Sequence, residues 1–113
     1  MQIHWIFFHP LQKNLSRLQG MRNEDGDTVN ITKVPMPAAC FHKGESMPAS
    51  YANFYITNKS VIVPTYRDSN DDTAINIIQS KFPSRKVIGI DSTDLIWGLG
   101  SFHCLTQQEP LIW

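Results

Sequence analysis

Apolar positions along the chain change their spacing several times, and each change marks an element. Residues 3 to 8 are apolar and aromatic and stop at His9-Pro10, which fits a buried strand or a short tail covering a neighbour. From Leu11 the spacing becomes helical. Leu11, Leu15 and Leu18 lie at i, i+4 and i+7 with polar residues between them, so an amphipathic helix is predicted to end around Gly20 to Asn23. Asp25-Gly26 signals a turn, Thr28 to Val34 alternates as a half-buried strand does, and Pro35 and Pro37 close it. Residues 38 to 49, with Gly44, Pro48 and small side chains, read as a loop.

A second strand is predicted over Ser50 to Thr57, with Asn58-Lys59 as a two-residue turn into Ser60 to Pro64. Ser69 or Asn70 can cap the helix that follows. Asp71 and Asp72 suit its N-terminal dipole, Ile75, Ile78 and Phe82 form its apolar face, and Pro83 ends it. Residues 85 to 90 make a further strand. The fold class is therefore α/β (α+β), in one domain over residues 1–113 with three parts. Residues 11–34 are the helix-strand end of one unit, residues 50–92 a complete strand-strand-helix-strand unit, and residues 97–108 a strand bearing a cysteine.

Composition narrows the function. The 113 residues suffice for one small core. Lys plus Arg and Asp plus Glu both number 10, so the formal charge is zero and no field recruits nucleic acid or an anionic membrane. The apolar N-terminus lacks the features of a signal peptide and is too short to span a bilayer. Two cysteines, Cys40 and Cys104, fit reduced thiols in a cytoplasm better than a secreted disulfide scaffold.

Chemistry concentrates in Trp97-Gly98-Leu99-Gly100-Ser101-Phe102-His103-Cys104-Leu105-Thr106-Gln107-Gln108. Gly98 and Gly100 can take positive φ and let a ligand approach the main chain, which makes them candidate substrate-binding residues. In a strand, Phe102, Cys104 and Thr106 share one face and His103 points to the other. This stretch resembles the C-terminal signature of the agmatine deiminase and bacterial peptidylarginine deiminase family. There a glycine-rich turn, Asn, an apolar residue, His, the nucleophilic Cys, an apolar residue and Thr-Gln-Gln follow one another. Leu99 stands here where the middle glycine is usual, and Ser101 where Asn is usual. The resemblance runs from about Asn14 to Pro110 through Val34-Pro35-Met36-Pro37, Ser50-Tyr51-Ala52-Asn53-Phe54-Tyr55, Val61-Ile62-Val63-Pro64 and Ile88-Gly89-Ile90. Residues 1 to 10 do not resemble the family, as in a truncated or frame-disrupted reading frame.

The resemblance implies a fold: the C-terminal modules of a five-module α/β propeller (pentein fold). It also implies a reaction, the hydrolysis of agmatine to N-carbamoylputrescine and ammonia in putrescine biosynthesis, with no cofactor and no metal. Cys104 matches the nucleophile, and Asn53 matches a catalytic Asn of the peptidylarginine deiminase branch, where it would orient. The implied partner is a small guanidino substrate, with no nucleic acid and no membrane, together with self-association or association with a missing N-terminal part. The family's general base lies in a His-x-Asp motif, and none of His4, His9, His42 and His103 is followed by x-Asp. The isolated chain is therefore expected to be inactive. The other readings are a protein-arginine deiminase, a non-catalytic remnant, or a zinc site built from Cys40, His42, His103 and Cys104, which would require the cysteine strand to break.

Overall fold

The computed structural model describes residues 3–111. The chain divides into two compact units, Met1–Lys33 and Val34–Trp113. In the first, helix α1 spans Ile3–Gly20. It therefore replaces the strand or tail expected over residues 3 to 8 and passes through Pro10. Proline removes one intrahelical donor and disfavours the helix interior, which is why the sequence pattern suggests a break there. After α1, the Asn23 side chain accepts hydrogen bonds from the Asp25 and Asp27 amides, at 3.0 and 2.8 Å, and Gly26 sits at φ 84°. The Asp25-Gly26 turn is thus present. The strand expected over Thr28 to Val34 is not: among the described residues this stretch has only an isolated bridge, Arg22 to Thr28. Alternation describes a surface suited to a sheet, and without a ladder partner it leaves the backbone irregular.

The second unit opens with a hairpin in the stretch expected to be a loop. Strand β1 (Cys40–His42) pairs antiparallel with β2 (Glu45–Met47). Lys43 and Gly44 both have positive φ, 50° and 81°, as a primed hairpin turn demands. Lysine at the first of these positions hides the turn from a search for Asn-Gly or Asp-Gly.

Three strands then form an open mixed sheet in the order β3-β4-β5. Strand β3 (Tyr55–Ile56) pairs antiparallel with β4 (Ser60–Thr65), Tyr55 opposite Ile62, around the expected Asn58-Lys59 turn. Helix α2 (Asp71–Lys81) crosses to β5 (Lys86–Asp91), which runs parallel to β4 with Val61 beside Val87 and Val63 beside Gly89. Beyond Ile62, β4 has no β3 partner, so Pro64 falls where one side of the strand needs no donor.

Val61, Val63, Ala74, Ile78, Val87 and Ile96 bury the common face, together with Met47, Ala49, Tyr51 and Tyr66. Each full aliphatic burial contributes roughly 1.5 to 3 kcal/mol. Gly89 lets α2 approach the sheet, since a Cβ there would stand 2.6 Å from Ile75 Cδ1 and 2.9 Å from Thr65 Cγ2. At the carboxyl ends of the parallel strands Asp91 accepts from Thr93 and, at 2.7 Å, from Arg67 Nε. Thr93 first and Arg67 second hold the Asp91 carboxyl down at about 2. A 3-10 turn, η1 (Leu95–Gly98), and a last helical turn, α3 (Phe102–Leu105), follow. Among the described residues no helix is long and apolar enough to cross a membrane.

Candidate active site

Two expected strands are replaced by turns, and the replacements bring the candidate residues together. Only Tyr55–Ile56 of the Ser50 to Thr57 run is strand. At its start, Ser50 Oγ accepts from the Ala52 amide at 3.2 Å and Ser50 O from the Asn53 amide at 3.3 Å. Local serine bonds of this kind compete with a ladder. Tyr66, a core residue, grips the same turn: its hydroxyl donates to Ser50 O and accepts from Ser50 N, each at 3.2 Å. Tyr51 is buried, and its hydroxyl donates to Asp71 Oδ1 at 2.7 Å. Asp71 also accepts from the Tyr66 and Asp68 amides, which ties the turn to the start of α2. Burial first, and Asp71 second, push the Tyr51 phenol far up.

The stretch expected as the cysteine strand forms α3 instead. Asn53 accounts for much of this. A helix leaves its first amides without partners. Asn53 O accepts from the His103 amide at 3.4 Å, and Asn53 Oδ1 accepts from the Cys104 amide at 3.3 Å. The cap is therefore supplied from fifty residues earlier in the chain, while Ser101, in the N-cap position, makes no side-chain cap bond. At the other end Thr106 Oγ1 donates to Phe102 O at 2.7 Å. A helical turn ends the strand alternation, so Cys104 does not share a strand face with Phe102 and Thr106.

Asn53 Nδ2 donates to Cys104 Sγ at 3.2 Å, while the thiol itself stays exposed. The two residues singled out in the sequence are thus in direct contact. The two glycines behave differently from the expectation. Neither Gly98 nor Gly100 has positive φ; Leu99 between them does, at 66°. Gly100 is needed for space, because a Cβ there would stand 2.8 Å from Cys104 Cβ and 3.3 Å from Sγ. Around Gly98 nothing lies within 4 Å of such a Cβ. Ser101 is fully buried, and its Oγ has no well-aligned hydrogen-bond partner; it lies near the Tyr66 hydroxyl, a phenol that burial pushes up and that Ser50 and Ser101 only partly draw back.

His103 is exposed and, among the histidines, adjoins the thiol through its backbone. His42 stacks on Trp97 with ring centroids 4.0 Å apart. No group of three His, Cys, Asp or Glu converges as a metal site among the described residues. The other thiol, Cys40, is half-buried and points to Ala38 O at 3.7 Å. Burial, then the Asp68 and Asp71 charges, push it up. Sequence reasoning missed the Tyr66, Ser50 and Asp71 network; of the three, Asp71 stands out in the sequence only as a helix-start residue, and no spacing rule links it to the other two.

Fold and sequence together point to one class of relatives, proteins named as deiminases. The agmatine deiminase of Enterococcus faecalis superposes with a TM-score of 0.80 at 34% identity, covering 88% of this chain and 32% of that one. A C. jejuni agmatine deiminase with substrate bound gives 0.65 at 30% identity, over 67% of this chain and 23% of that one. A Lactococcus lactis protein named "Putative agmatine deiminase" is 34% identical over 92% of this chain and 33% of its own length. Within the class, the chain belongs to the Porphyromonas-type peptidyl-arginine deiminase family, whose model matches residues 6–110. The likeness therefore begins earlier than Asn14 and includes residues within the stretch 1 to 10 that was read as unrelated. The chain spans between about a quarter and a third of the length of these relatives.

Proposed function

We propose that this chain is the C-terminal portion of an agmatine deiminase-like hydrolase and that Cys104 is its nucleophile. The supporting observation is the exposed Cys104 thiol held by the Asn53 amide at 3.2 Å, in a chain of this family. In the proposed reaction the Cys104 thiolate attacks the guanidinium carbon of agmatine. A C–S bond forms, the C–N bond breaks, and the departing nitrogen takes a proton to leave as ammonia. Water then adds to the covalent thiouronium carbon, the C–S bond breaks, and N-carbamoylputrescine leaves with the thiolate restored. Asn53 orients the sulfur. Gly100 leaves room for it, and Gly98 and Gly100 line the approach of the substrate. The site needs no cofactor, and reduced thiols suit a cytoplasmic setting.

Proton transfer requires a His at the leaving nitrogen, and such help is commonly worth about 100- to 10,000-fold. No His-x-Asp occurs in this chain. The sheet unit is read as one module of a five-module propeller whose other modules complete the site. Exposed Ile56, Ile90 and Leu95 in that unit suit burial against such modules or against a second copy. A second reading, deimination of peptidyl arginine, draws on the family's description and on the Asn53 to Cys104 contact. A non-catalytic remnant is the third.

The test is ammonia release from agmatine and from a peptidyl-arginine substrate. The chain alone should release none above background; a co-expressed segment bearing His-x-Asp should restore turnover of agmatine, and Cys104→Ala should abolish it. Turnover of the peptide but not of agmatine selects the second reading. No turnover with the partner assembled selects the third.

A further inference from the structure

We propose that Tyr66 is a positioning residue for Cys104, acting through the Ser50–Asn53 turn; this rests on Cys104 being the nucleophile. Tyr66 is 5% exposed, and its hydrogen-bonded link to the sulfur runs through the Ser50–Asn53 turn, so its part is indirect. Its hydroxyl makes a two-way bond with the Ser50 backbone, at 3.2 Å in each direction. Ser50 O in turn accepts from the Asn53 amide, and the Asn53 side chain holds both the Cys104 amide and its sulfur. One phenolic oxygen thus closes a hydrogen-bonded chain from the core to the thiol.

The phenol is itself well fixed. Its backbone amide donates to Asp71, and its ring packs at 5.7 Å against Tyr51, whose hydroxyl bonds the same carboxylate. Ser101, the residue from which α3 departs, is buried beside the same hydroxyl, so both segments of the site border it. Without the Tyr66 hydroxyl the turn keeps its serine bond and the Tyr51 anchor on Asp71, but nothing outside the turn among the described residues fixes the Ser50 backbone on which the Asn53 amide rests, and local turn bonds alone are marginal. Fixing such a donor to within a few tenths of an ångström is what a second layer of hydrogen bonds provides.

The test is a double-mutant cycle read on Cys104. The 113-residue chain is alkylated with 2-chloroacetamidine, a guanidinium-shaped reagent, and the Cys104 rate is followed by mass spectrometry. Tyr66→Phe should slow Cys104 by about threefold to tenfold, the worth of one hydrogen bond. Asn53→Ala should slow it by a similar factor. In the Asn53→Ala background, Tyr66→Phe should change the rate by less than about twofold, since coupled residues are non-additive. A merely structural tyrosine would give additive losses in both backgrounds, which overturns the proposal while leaving Cys104 as nucleophile. Equal rates in the wild type and Tyr66→Phe overturn it likewise. If Cys104 is unreactive in the wild type, both the proposal and the reading beneath it fail.

Hydrogen exchange on the wild-type chain needs no variant. The Asn53, His103 and Cys104 amides should open together with Ser50, with the same protection. Independent protection of Ser50 and Cys104 would contradict the link.

Discussion

The hairpin carrying Cys40 and the helical turn carrying Cys104 give one residue type opposite surroundings. Cys40 is half-buried in β1, faces a carbonyl, and has two aspartates within electrostatic reach, all of which disfavour a thiolate. Cys104 is exposed, receives an amide donor from Asn53, and sits over a glycine with no side chain to displace it. Reactivity of a cysteine is set by such surroundings rather than by its type. The difference also arises by different routes: the hairpin is local, closed by Lys43 and Gly44, whereas the Cys104 turn is held by Asn53 from a distant segment.

The comparison breaks most readily at Gly100. Gly100→Ala sets a Cβ 2.8 Å from Cys104 Cβ, an atom attached to the backbone that cannot rotate away. Alkylation of Cys104 by 2-chloroacetamidine should fall by about tenfold to a hundredfold, because sub-ångström displacement of a reacting group is costly. Gly98→Ala, with open space around it and no contact with Cys104, should lower the rate far less than Gly100→Ala does. Equal effects of the two substitutions would remove the steric role given to Gly100.

Asn53→Ala is the next largest. It deletes the donor to Cys104 Sγ and leaves the Cys104 amide uncapped, so Cys104 labelling should slow by about threefold to tenfold while Cys40 labelling holds constant. A parallel loss at both cysteines would point to general unfolding instead.

The sheet unit was largely legible in the sequence, and the site only in part, for reasons visible in single residues. Helix α2 and the Asn58-Lys59 hairpin are governed by local signals: Asp71 and Asp72 at a helix start, Pro83 past its end, and β-branched runs either side of a short turn. The segment Phe102 to Thr106 alternates like a strand yet folds as a helical turn, because its first amides are satisfied by Asn53, which no spacing rule connects to it. Ser50 to Asn53 looks like the start of a strand, and serine hydrogen bonds fold it back. Leu99 was noted as standing in a glycine position, and its φ of 66° gives that remark its physical content. The sequence singles out both Cys104 and Asn53, but their contact is tertiary and has no signature in either segment alone.

Cys40 sharpens the comparison through pH. Burial and the two aspartates raise its ionisation above the ordinary thiol range, so less thiolate is present at neutral pH. Its alkylation rate should therefore keep rising with pH beyond the point where an unstructured cysteine peptide levels off. Asp68→Asn should move that rise to lower pH, since it removes the larger of the two charge contributions. A profile matching the free peptide would contradict the electrostatic account of Cys40.

The smallest effect belongs to the backbone between the glycines. Leu99 holds a left-handed conformation with its side chain 68% exposed, so it has strain to lose and little burial. Leu99→Gly should stabilise the chain by up to about 1 kcal/mol, the strain relief being offset in part by glycine's greater unfolded-state freedom. Thermal or denaturant unfolding measures this, and a loss of stability would mean that Leu99 packs more tightly than its exposure indicates.

The most direct test of the central claim is site mapping on the unmodified chain. The 113-residue protein is treated with less than one equivalent of 2-chloroacetamidine near neutral pH, digested, and the adducts at Cys40 and Cys104 are quantified by mass spectrometry. The account predicts that Cys104 carries most of the label, and that agmatine added beforehand reduces labelling at Cys104 and not at Cys40. Equal labelling, or Cys40 first, would contradict it.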